Sequence, residues 1–321
     1  MKEFNPNYLD FEQPLLEIEG KINQIKNEPV KTAKADAQIT KLDKEHSLLT
    51  SKIFGNLSDW QISQLARHPL RPYTLDYIPS LFSSFTELHG DRMFGDDPAL
   101  ICGIGKIDKY MFMFIGHQKG RDAKEKVKRN FGMPKPEGYR KALRIMKLAE
   151  KFNLPVVTFI DTPGAYPGID AESRNQSQAI AENLFIMSNL KVPVISIIIG
   201  EGGSGGALAI GVSDKLAMLE NSIYSVISPE GCASILWKDA KKAEQAADAL
   251  CITAAKLLDF DLVDVIIPEP LGGAHRDHGA MTSSLKMNLI TMLDELSNID
   301  ISEILSKRKQ KIGLYGKFEA S

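Results

Sequence analysis

The sequence is poor in cysteine and has no long hydrophobic run. Its three cysteines among 321 residues, Cys102, Cys232 and Cys251, form neither a CxxC pair nor a disulfide framework. We therefore predict free thiols in the core of a protein from a reducing compartment. The longest apolar run, residues 192–199, is too short to cross a bilayer, and residues 1–4 open a polar segment without the apolar stretch of a signal peptide. These absences predict a cytoplasmic protein without membrane contact.

A large net charge of either sign is also missing. The 39 basic residues nearly balance the 41 acidic ones, so no global field favours nucleic acid. One local exception is residues 117–151, where twelve Lys and Arg stand against four Asp and Glu. Such a run is typical of a solvated helix face and loop, but it also suits a surface that meets phosphates or an acidic carrier protein. Both interpretations stay open at this stage.

Several catalytic signatures are absent too. No GxxxxGK[ST] phosphate loop occurs, which argues against a nucleotide triphosphatase. The glycine-rich segments contain no Ser-His-Asp, Cys-His or paired-carboxylate arrangement and no metal-ligand spacing. His275 and His278 are spaced like metal ligands, yet their glycine-rich surroundings predict solvated side chains. We expect no bound metal.

The first 75 residues predict a helical hairpin. Apolar residues repeat at spacings of three and four in residues 15–25 and again in residues 39–53, with a break at residues 27–29. Both stripes are narrow, so the hairpin is expected to pack against the main body or a second subunit. His46 lies in the second stripe, where a buried, hydrogen-bonded histidine is favoured over a ligand. The predicted organisation is a hairpin and linker (1–75), a core (76–279), and a C-terminal helix and tail (280–321).

The core alternates short apolar strands with helices, which predicts a largely parallel α/β sheet. The strand candidates are residues 99–107, 110–115, 154–160, 192–199, 215–219, 223–227 and 262–267. Helices are predicted from Pro136 onward, over residues 172–188 and over residues 280–305. The last helix is expected to end in the basic run 306–309, before a frayed tail.

Two strand candidates run into glycine-rich segments, residues 161–168 and residues 200–207. In a parallel sheet both segments would emerge at the carboxyl ends of their strands, where α/β folds usually bind ligands. Glycines let the backbone approach a ligand and present its N–H groups, aided by the positive end of the following helix. The pattern therefore predicts a cradle for an anion or oxyanion, built from backbone donors.

A dinucleotide site competes with this interpretation. Gly200, Gly202 and Gly205 spell GxGxxG after a strand, and Glu220 follows twenty residues after the first glycine. Against it, the helix available after Gly205 is short, and the fingerprint leaves the proline-rich segment 161–168 unexplained. The sequence alone favours the oxyanion cradle but leaves the dinucleotide site open.

Longer segments carry a resemblance to a known family. Residues 161–172 resemble the carboxyl-terminal half of biotin-dependent acyl-CoA carboxyltransferases. Residues 9–14, 131–144, 200–211 and 224–237 look like the alpha subunits of bacterial acetyl-CoA carboxylases. The likeness extends from about Leu9 to about Asp277, most of the chain.

The resemblance implies a crotonase-like fold of spiralling ββα units, with the family's domain at about residues 36–295. It implies a carboxyltransferase alpha subunit that forms an alpha2beta2 assembly with a beta subunit and works with biotin carboxyl carrier protein and biotin carboxylase. The implied reaction moves a carboxyl group from carboxybiotin to acetyl-CoA and gives malonyl-CoA. The beta subunits of the family carry a four-cysteine zinc ribbon without a counterpart here, so no zinc is expected in this chain.

The resemblance also implies roles for individual residues. Backbone N–H groups of Gly205 and Gly206, supported by Gly202 and Gly203, would form the oxyanion hole for the biotin ureido oxygen. The implied biotin pocket consists of Asp161, Pro163, Gly164, Ala165, Tyr166, Gly168 and Ala207. Candidate contacts to CoA phosphates or to the carrier protein are Lys126, Lys128, Arg129 and Arg140.

Two further functions stay open. One is a catalytically silent organising subunit, whose hairpin holds partners while the glycines only pack. The other is an independent crotonase-type hydratase, isomerase or decarboxylase that acts on an acyl-CoA. Glu230, near a predicted helix start, is the candidate acid or base for that reaction.

Overall fold

The computed structural model describes residues 8–28 and 32–316. The expectations for residues 1–4, for the break at Pro29 and for the tail beyond residue 316 lie outside these described residues. Within the described ranges, no helix combines the length and the apolar character that crossing a bilayer requires.

Two helices near the start form the predicted hairpin. Helix α1 (Gln13–Lys26) begins with Pro14 in its first turn, where a missing N–H costs nothing. Helix α2 (Ala33–Phe54) begins after Thr32, whose side chain accepts the N–H of Ala35 at 3.1 Å. The two apolar stripes meet in a small core of their own, made by Ile18, Ile22, Ile25, Ile39, Leu42 and Leu49.

The centre of the molecule is an eight-stranded mixed sheet. Its strands are β1 (Ser84–Glu87), β2 (Leu100–Ile107), β3 (Tyr110–His117), β4 (Val156–Thr162), β5 (Val194–Gly203), β6 (Lys215–Leu219), β7 (Ile223–Ser225) and β8 (Val265–Ile267). The order is β1-β2-β3-β4-β5-β6-β8, and β7 pairs with β5. The β1/β2 and β2/β3 pairs are antiparallel and the other pairs are parallel, so the predicted, largely parallel α/β sheet is confirmed. Strand β1 was missed because its four residues include only one apolar side chain.

Helices cover both faces of this sheet. They are α3 (Asp59–Ala66), α4 (Thr74–Leu81), α5 (Ala123–Lys128), α6 (Pro136–Phe152), α7 (Ile169–Glu172), α8 (Gln176–Asn189), α9 (Ser204–Leu208), α10 (Pro229–Trp237), α11 (Ala243–Leu250), α12 (Ala254–Asp259), α13 (His278–Ser297) and α14 (Ile301–Gly313). Strand β4 shows how the sheet separates two cores, because its alternate residues enter different ones. Val156 and Ile160 pack with α6 and α8, whereas Val157 and Phe159 pack with α4 and α13.

Two predicted helices differ from the structure in their bounds. The predicted helix 172–188 begins only at Gln176, as α8, because Asn175 has a left-handed φ of 65°. The predicted helix 280–305 breaks after Ser297, and Asp300 caps a new helix by accepting the N–H of Ser302 at 2.8 Å. Helix α14 then runs through the basic run 306–309 to Gly313, so the prediction of a helix ending at this run is wrong.

Candidate active site

The two glycine-rich segments meet at one edge of the sheet. Strand β4 ends at Thr162 and strand β5 ends at Gly203, and Thr162 pairs with Gly202. Both segments therefore leave neighbouring parallel strands at their carboxyl ends, as the sequence predicted. This is the edge where α/β sheets usually bind ligands.

The dinucleotide interpretation does not fit this geometry. Gly200 and Gly202 lie inside β5, where a fingerprint would require a loop between strand and helix. Helix α9, which follows, has five residues and provides little of the long phosphate-binding helix that a dinucleotide fold uses.

Close packing between the segments explains the need for glycine at two positions. A Cβ atom on Gly203 would lie 2.4 Å from the carbonyl oxygen of Pro163. A Cβ atom on Gly206 would lie 2.4 Å from the carbonyl carbon of Gly164. Both neighbours are backbone atoms, which cannot swing away as a side chain can. Gly205 differs, because an added Cβ would meet no atom nearer than 4.0 Å.

Helix α9 begins directly after strand β5. The N–H groups of Ser204, Gly205 and Gly206 belong to a first helical turn, where no intrahelical acceptor is in reach. Ser204 has a φ of 61°, a conformation that is uncommon outside glycine. This strained turn joins β5 to α9, and of its three residues Ser204 is exposed, Gly205 is half-buried and Gly206 is buried.

A cavity of about 530 Å³ opens beside Gly205. This volume lies within the range typical of small-molecule sites. The lining is mostly apolar and includes Leu184, Ser204, Gly205, Leu208, Val226 and Tyr315. Among the predicted oxyanion residues only Gly205 borders this cavity. Gly202, Gly203, Gly206 and Ala207 are buried.

The proline-rich segment 161–168 is fixed at its middle. The N–H of Tyr166 donates to the carbonyl of Pro134 at 3.0 Å, and the carbonyl of Tyr166 accepts Nε2 of Gln176 at 3.0 Å. Lys135 Nζ lies 4.8 Å from the centre of the Tyr166 ring, a cation–π contact. Among the predicted pocket residues of this segment, Pro163 is exposed, Ala165, Tyr166 and Gly168 are half-buried, and Gly164 is buried.

An ion cluster that the sequence did not reveal lies beneath both segments. Asp161 is 2% exposed; its Oδ1 lies 2.7 Å from Nζ of Lys119 and accepts the N–H of Glu201 at 3.0 Å. Lys119 also binds Glu201 Oε2 at 3.2 Å, and Glu201 Oε1 accepts Nε of Arg67 at 2.8 Å. Oδ1 of Asp161 is therefore engaged by Lys119 and by the backbone of Glu201, while the place of Asp161 in a biotin pocket stays a prediction. In the sequence Lys119 was only one member of a basic run.

His117 is a neutral histidine buried beside this cluster. Its side chain is 0% exposed, and Nδ1 accepts the N–H of Asp161 at 3.4 Å. Nε2 has no hydrogen-bond partner among the described residues. Burial, reinforced by the nearby positive charge of Lys119, lowers the pKa of His117 to about 3. The imidazole therefore packs as an uncharged ring at neutral pH.

The depressed pKa of His117 predicts a pH-dependent stability. Between about pH 6.5 and pH 3 the unfolded chain binds a proton at this position and the folded chain does not. Stability from this group is therefore present above pH 6.5 and is lost as the pH falls, by roughly 1 kcal/mol per pH unit. The free energy of unfolding of the wild type, relative to that of His117→Gln, should therefore fall from pH 7 to pH 4. If the free energies of unfolding of the two proteins changed equally over this pH range, the lowered pKa of His117 would be contradicted.

The four cations proposed for phosphate or carrier contacts divide into two pairs. Lys126 and Lys128 are exposed on the short helix α5. Arg129 donates to the carbonyl of Pro98 at 2.8 Å, and Arg140 binds the Asp91 carboxylate at 2.8 Å. Only the two lysines are therefore presented to an incoming partner, while the arginines stabilise the surrounding fold.

The candidate acid or base of an independent acyl-CoA enzyme is engaged elsewhere. Glu230 Oε1 accepts NH1 of Arg67 at 2.7 Å, the same guanidinium that binds Glu201. Burial would raise the pKa of Glu201, but Lys119 and Arg67 outweigh it and hold that pKa below its ordinary value. A general acid or base works best with a pKa near the operating pH. The lowered pKa of Glu201 does not suit that role, and Glu230 is held in an ion pair with Arg67, so the site gives little support to hydratase or isomerase chemistry.

The histidines of residues 275–278 are not equally solvated, so the prediction for this segment is wrong in part. His275 has a side chain that is 4% exposed and stacks on His68 at 3.9 Å between ring centres, whereas His278 is exposed. Nε2 of His275 lies 3.1 Å from Oε1 of Glu12, and Nε2 of His68 lies 3.2 Å from Oε2 of the same carboxylate. These three side chains place possible metal-ligating atoms within 4.8 Å of one another.

Hydrogen bonds and ion pairs connect this cluster to its surroundings. The N–H of Leu70 donates to Nδ1 of His68 at 3.1 Å, so Nδ1 is an acceptor and Nε2 faces Glu12. Arg276 NH2 binds Glu12 at 3.0 Å and its NH1 binds Glu19 at 2.8 Å. Burial would raise the pKa of Glu12, but hydrogen bonds from His275 and His68 hold it below its ordinary value. The cluster therefore connects the start of the hairpin to the core.

His46 belongs to the outer part of the same network. Its Nε2 lies 2.9 Å from Oε1 of Glu19, and its side chain is 26% exposed. The prediction of a hydrogen-bonded histidine is confirmed, although the side chain is half-buried.

Comparison with known proteins gives this architecture a family. Residues 8–316 match the family described as acetyl co-enzyme A carboxylase carboxyltransferase-like. The acetyl-coenzyme A carboxylase carboxyl transferase subunit alpha of Pseudomonas aeruginosa is 58% identical over 97% of this chain and 99% of its own length. The subunit of the same name from Ruthia magnifica is 59% identical over 98% and 99%.

Solved structures with low sequence identity share the fold. Transcarboxylase 12S superposes with a TM-score of 0.57 at 18% identity over 69% of this chain, which spans 41% of the transcarboxylase chain. The beta subunit of P. aeruginosa geranyl-CoA carboxylase gives 0.55 at 16% over 79% of this chain and 45% of that one. The expected crotonase-like α/β fold is thereby confirmed. The chain belongs to the acetyl co-enzyme A carboxylase carboxyltransferase-like family.

Proposed function

We propose that this chain is the alpha half of an acetyl-CoA carboxyltransferase. Together with a beta subunit it would move the carboxyl group of carboxybiotin to acetyl-CoA and give malonyl-CoA for fatty acid synthesis. The observation that carries the proposal is the likeness over nearly the whole chain, 58% identity across 97% of it, to an alpha subunit of that name. The meeting of the two glycine-rich segments beside a cavity supports it.

Carboxybiotin is a substrate presented by another protein, and the site has room for it. Gly205 borders the cavity, and an added Cβ there would meet nothing nearer than 4.0 Å. The chemistry that this substrate supplies is an activated carboxyl group. That group leaves the ureido nitrogen and bonds to the acetyl methyl carbon, whose proton goes to the nitrogen. Negative charge develops on the ureido oxygen as the carboxyl group departs.

The backbone of this chain would stabilise that charge. The N–H groups of Gly205 and Gly206 would donate to the ureido oxygen, and Gly202 and Gly203 would support them from strand β5. Fixed donors of this kind contribute about 3 kcal/mol each to a transition state, because they need no reorganisation during the reaction. This accounts for a site without a catalytic side-chain base.

The proline-rich segment would form one wall of the biotin pocket. Pro163, Ala165 and Tyr166 have the exposure that contact with a ring requires, and Gly164, Gly168 and Ala207 would shape the backbone around it. Asp161 would contribute through its place at the start of the segment, since its carboxylate is already bound. Lys126 and Lys128 would meet CoA phosphates or the carrier protein by charge attraction.

The implied partners follow from the same proposal. They are the beta subunit in an alpha2beta2 assembly, biotin carboxyl carrier protein and biotin carboxylase, which would make the whole complex ATP-dependent. We place the protein in the cytoplasm and assign no resident metal or cofactor to this chain. Neither a membrane nor a nucleic acid partner is part of the proposal.

Reconstitution tests this function. Malonyl-CoA formation from acetyl-CoA and carboxybiotin would be followed with this chain alone, the beta subunit alone and both together. We expect activity only in the mixture, because the thioester side of the site would come from the partner. Activity of this chain alone would overturn the division of labour. A verified complex of both subunits without activity would favour a silent organising subunit.

A further inference from the structure

Strand β5 becomes irregular just before the glycines of the proposed oxyanion hole. Ile160 pairs with Ile198, and the next pair is Thr162 with Gly202, so two residues of β4 correspond to four of β5. Such a bulge leaves backbone groups without their ladder partners. Buried backbone groups need other partners, because an unmade hydrogen bond there is costly.

Side chains supply these partners. The carbonyl of Ile199 accepts Nε of Arg71 at 2.8 Å, and the N–H of Glu201 donates to Oδ1 of Asp161 at 3.0 Å. Gly200 lies between them, and a Cβ there would come within 2.7 Å of Asp161 Oδ1. The Asp161 carboxylate therefore acts as a bracket that sets the path of β5 into residues 203–206.

The bracket depends on a counter-ion. A buried carboxylate without one is strongly destabilised. Lys119 Nζ lies 2.7 Å from Asp161 Oδ1 and 3.2 Å from Glu201 Oε2, and its side chain is 14% exposed. It thus binds the end of β4 and the end of β5 with one ammonium group, and it comes from the residues just after β3. Three neighbouring parallel strands are joined at the edge where the site lies.

The cluster continues toward a segment that lines the cavity. Glu201 Oε1 accepts Arg67 Nε at 2.8 Å, and NH1 of the same guanidinium binds Glu230 at 2.7 Å. Glu230 lies in the first turn of α10, and the segment just before it carries Val226, which lines the cavity. Displacement of Lys119 would therefore loosen both sides of the oxyanion hole.

We propose that Lys119 is a positioning residue for carboxyl transfer: it holds the Asp161–Glu201 bracket and thereby aims the N–H groups of Gly205 and Gly206. The proposal rests on the proposed function. Lys119 does not touch the substrate in this scheme. Its loss would misplace donors that act mainly in the transition state, and a misplacement of about 1 Å can cost about 100-fold in rate.

The test compares Lys119→Met, Lys119→Arg and a matched control in the complex reconstituted with the beta subunit. The control is Lys141→Met. Lys141 lies on helix α6, its side chain is 1% exposed, and it pairs with Asp96, so it is likewise an ion-paired lysine with little exposure. For Lys119→Met we expect kcat about 100-fold lower, KM for acetyl-CoA within about two-fold of wild type, and faster amide exchange in residues 199–206. Lys119→Arg should recover at least a tenth of the lost kcat. Lys141→Met should lose activity only in proportion to its folded fraction.

Three results would overturn the assignment of Lys119. One is a near-normal kcat for Lys119→Met in a folded complex. Another is a loss no larger than that of Lys141→Met at equal folded fraction. The third is unchanged amide exchange in residues 199–206. An inactive wild-type complex would instead overturn the proposed function, and the exchange measurement would still decide whether Lys119 fixes the backbone.

Discussion

Substitution of Gly206 by alanine should reduce kcat of the assembled carboxyltransferase by about 100-fold or more. The added methyl carbon would lie 2.4 Å from the carbonyl carbon of Gly164 and 2.5 Å from the nitrogen of Ala165. Since both atoms are backbone, the two glycine-rich segments must move apart. The N–H groups that would stabilise the ureido oxygen would then no longer point at it. The measurement is steady-state malonyl-CoA formation by the reconstituted complex.

Two other glycines provide the comparison for Gly206→Ala. Gly205→Ala keeps the backbone N–H and meets no protein atom nearer than 4.0 Å, so it should leave the packing of the two segments unchanged, and any loss of kcat would report crowding of carboxybiotin in the cavity. Gly20→Ala, in helix α1 with nothing within 4 Å of the added carbon, should leave turnover unchanged. Near-normal turnover of Gly206→Ala in a folded complex would contradict the oxyanion-hole proposal and favour a silent organising subunit.

Substitution of Arg308 by methionine should lower the free energy of unfolding by about 3–5 kcal/mol. Arg308 is 1% exposed, and all five of its N–H donors have acceptors. Two bind the Asp214 carboxylate at 2.8 and 2.6 Å, and three bind the carbonyls of Met187, Leu190 and Val192 at 2.7 to 2.9 Å. Methionine would leave the buried Asp214 carboxylate without its counter-ion, although the N–H of Val194 still donates to it, and would remove a donor from three carbonyls, which is the costly case.

Lys307→Met is the matched control for this substitution. Lys307 is the preceding residue in α14, its side chain is 60% exposed, and it pairs with Glu303 one turn away. Its removal should change stability by less than about 0.5 kcal/mol. Urea denaturation of both variants would decide the matter. Equal losses, or a loss for Arg308→Met below about 1 kcal/mol, would show that Arg308 contributes little to the free energy of unfolding.

Local patterns predicted the elements but not their long-range partners. The apolar periodicities located the hairpin, seven strands and the helix that starts at Pro136. They did not predict the break after Ser297. That break depends on Asp300, which caps the next helix. Arg308 was only a member of the basic run at the predicted helix end, and its buried role was missed because its partners lie more than ninety residues earlier in the chain.

The same limit applies to the site. The position of both glycine-rich segments followed from strand ends and glycine spacing, which are local features. Lys119, Glu201 and Arg67 carry no local signal, because their pairing depends on the order of β3, β4 and β5 in the sheet. His275 was misjudged for the same reason, since Glu12 and His68 reach it from distant parts of the chain.

The central claim, that this chain supplies one half of a shared carboxyltransferase site, is tested most directly by varying the subunit ratio. The rate of malonyl-CoA formation would be measured at a fixed total concentration of this chain and its beta partner. The account predicts no activity from either subunit alone and a maximum at an equimolar mixture. A rate that rises in simple proportion to one subunit, with no need for the other, would contradict it.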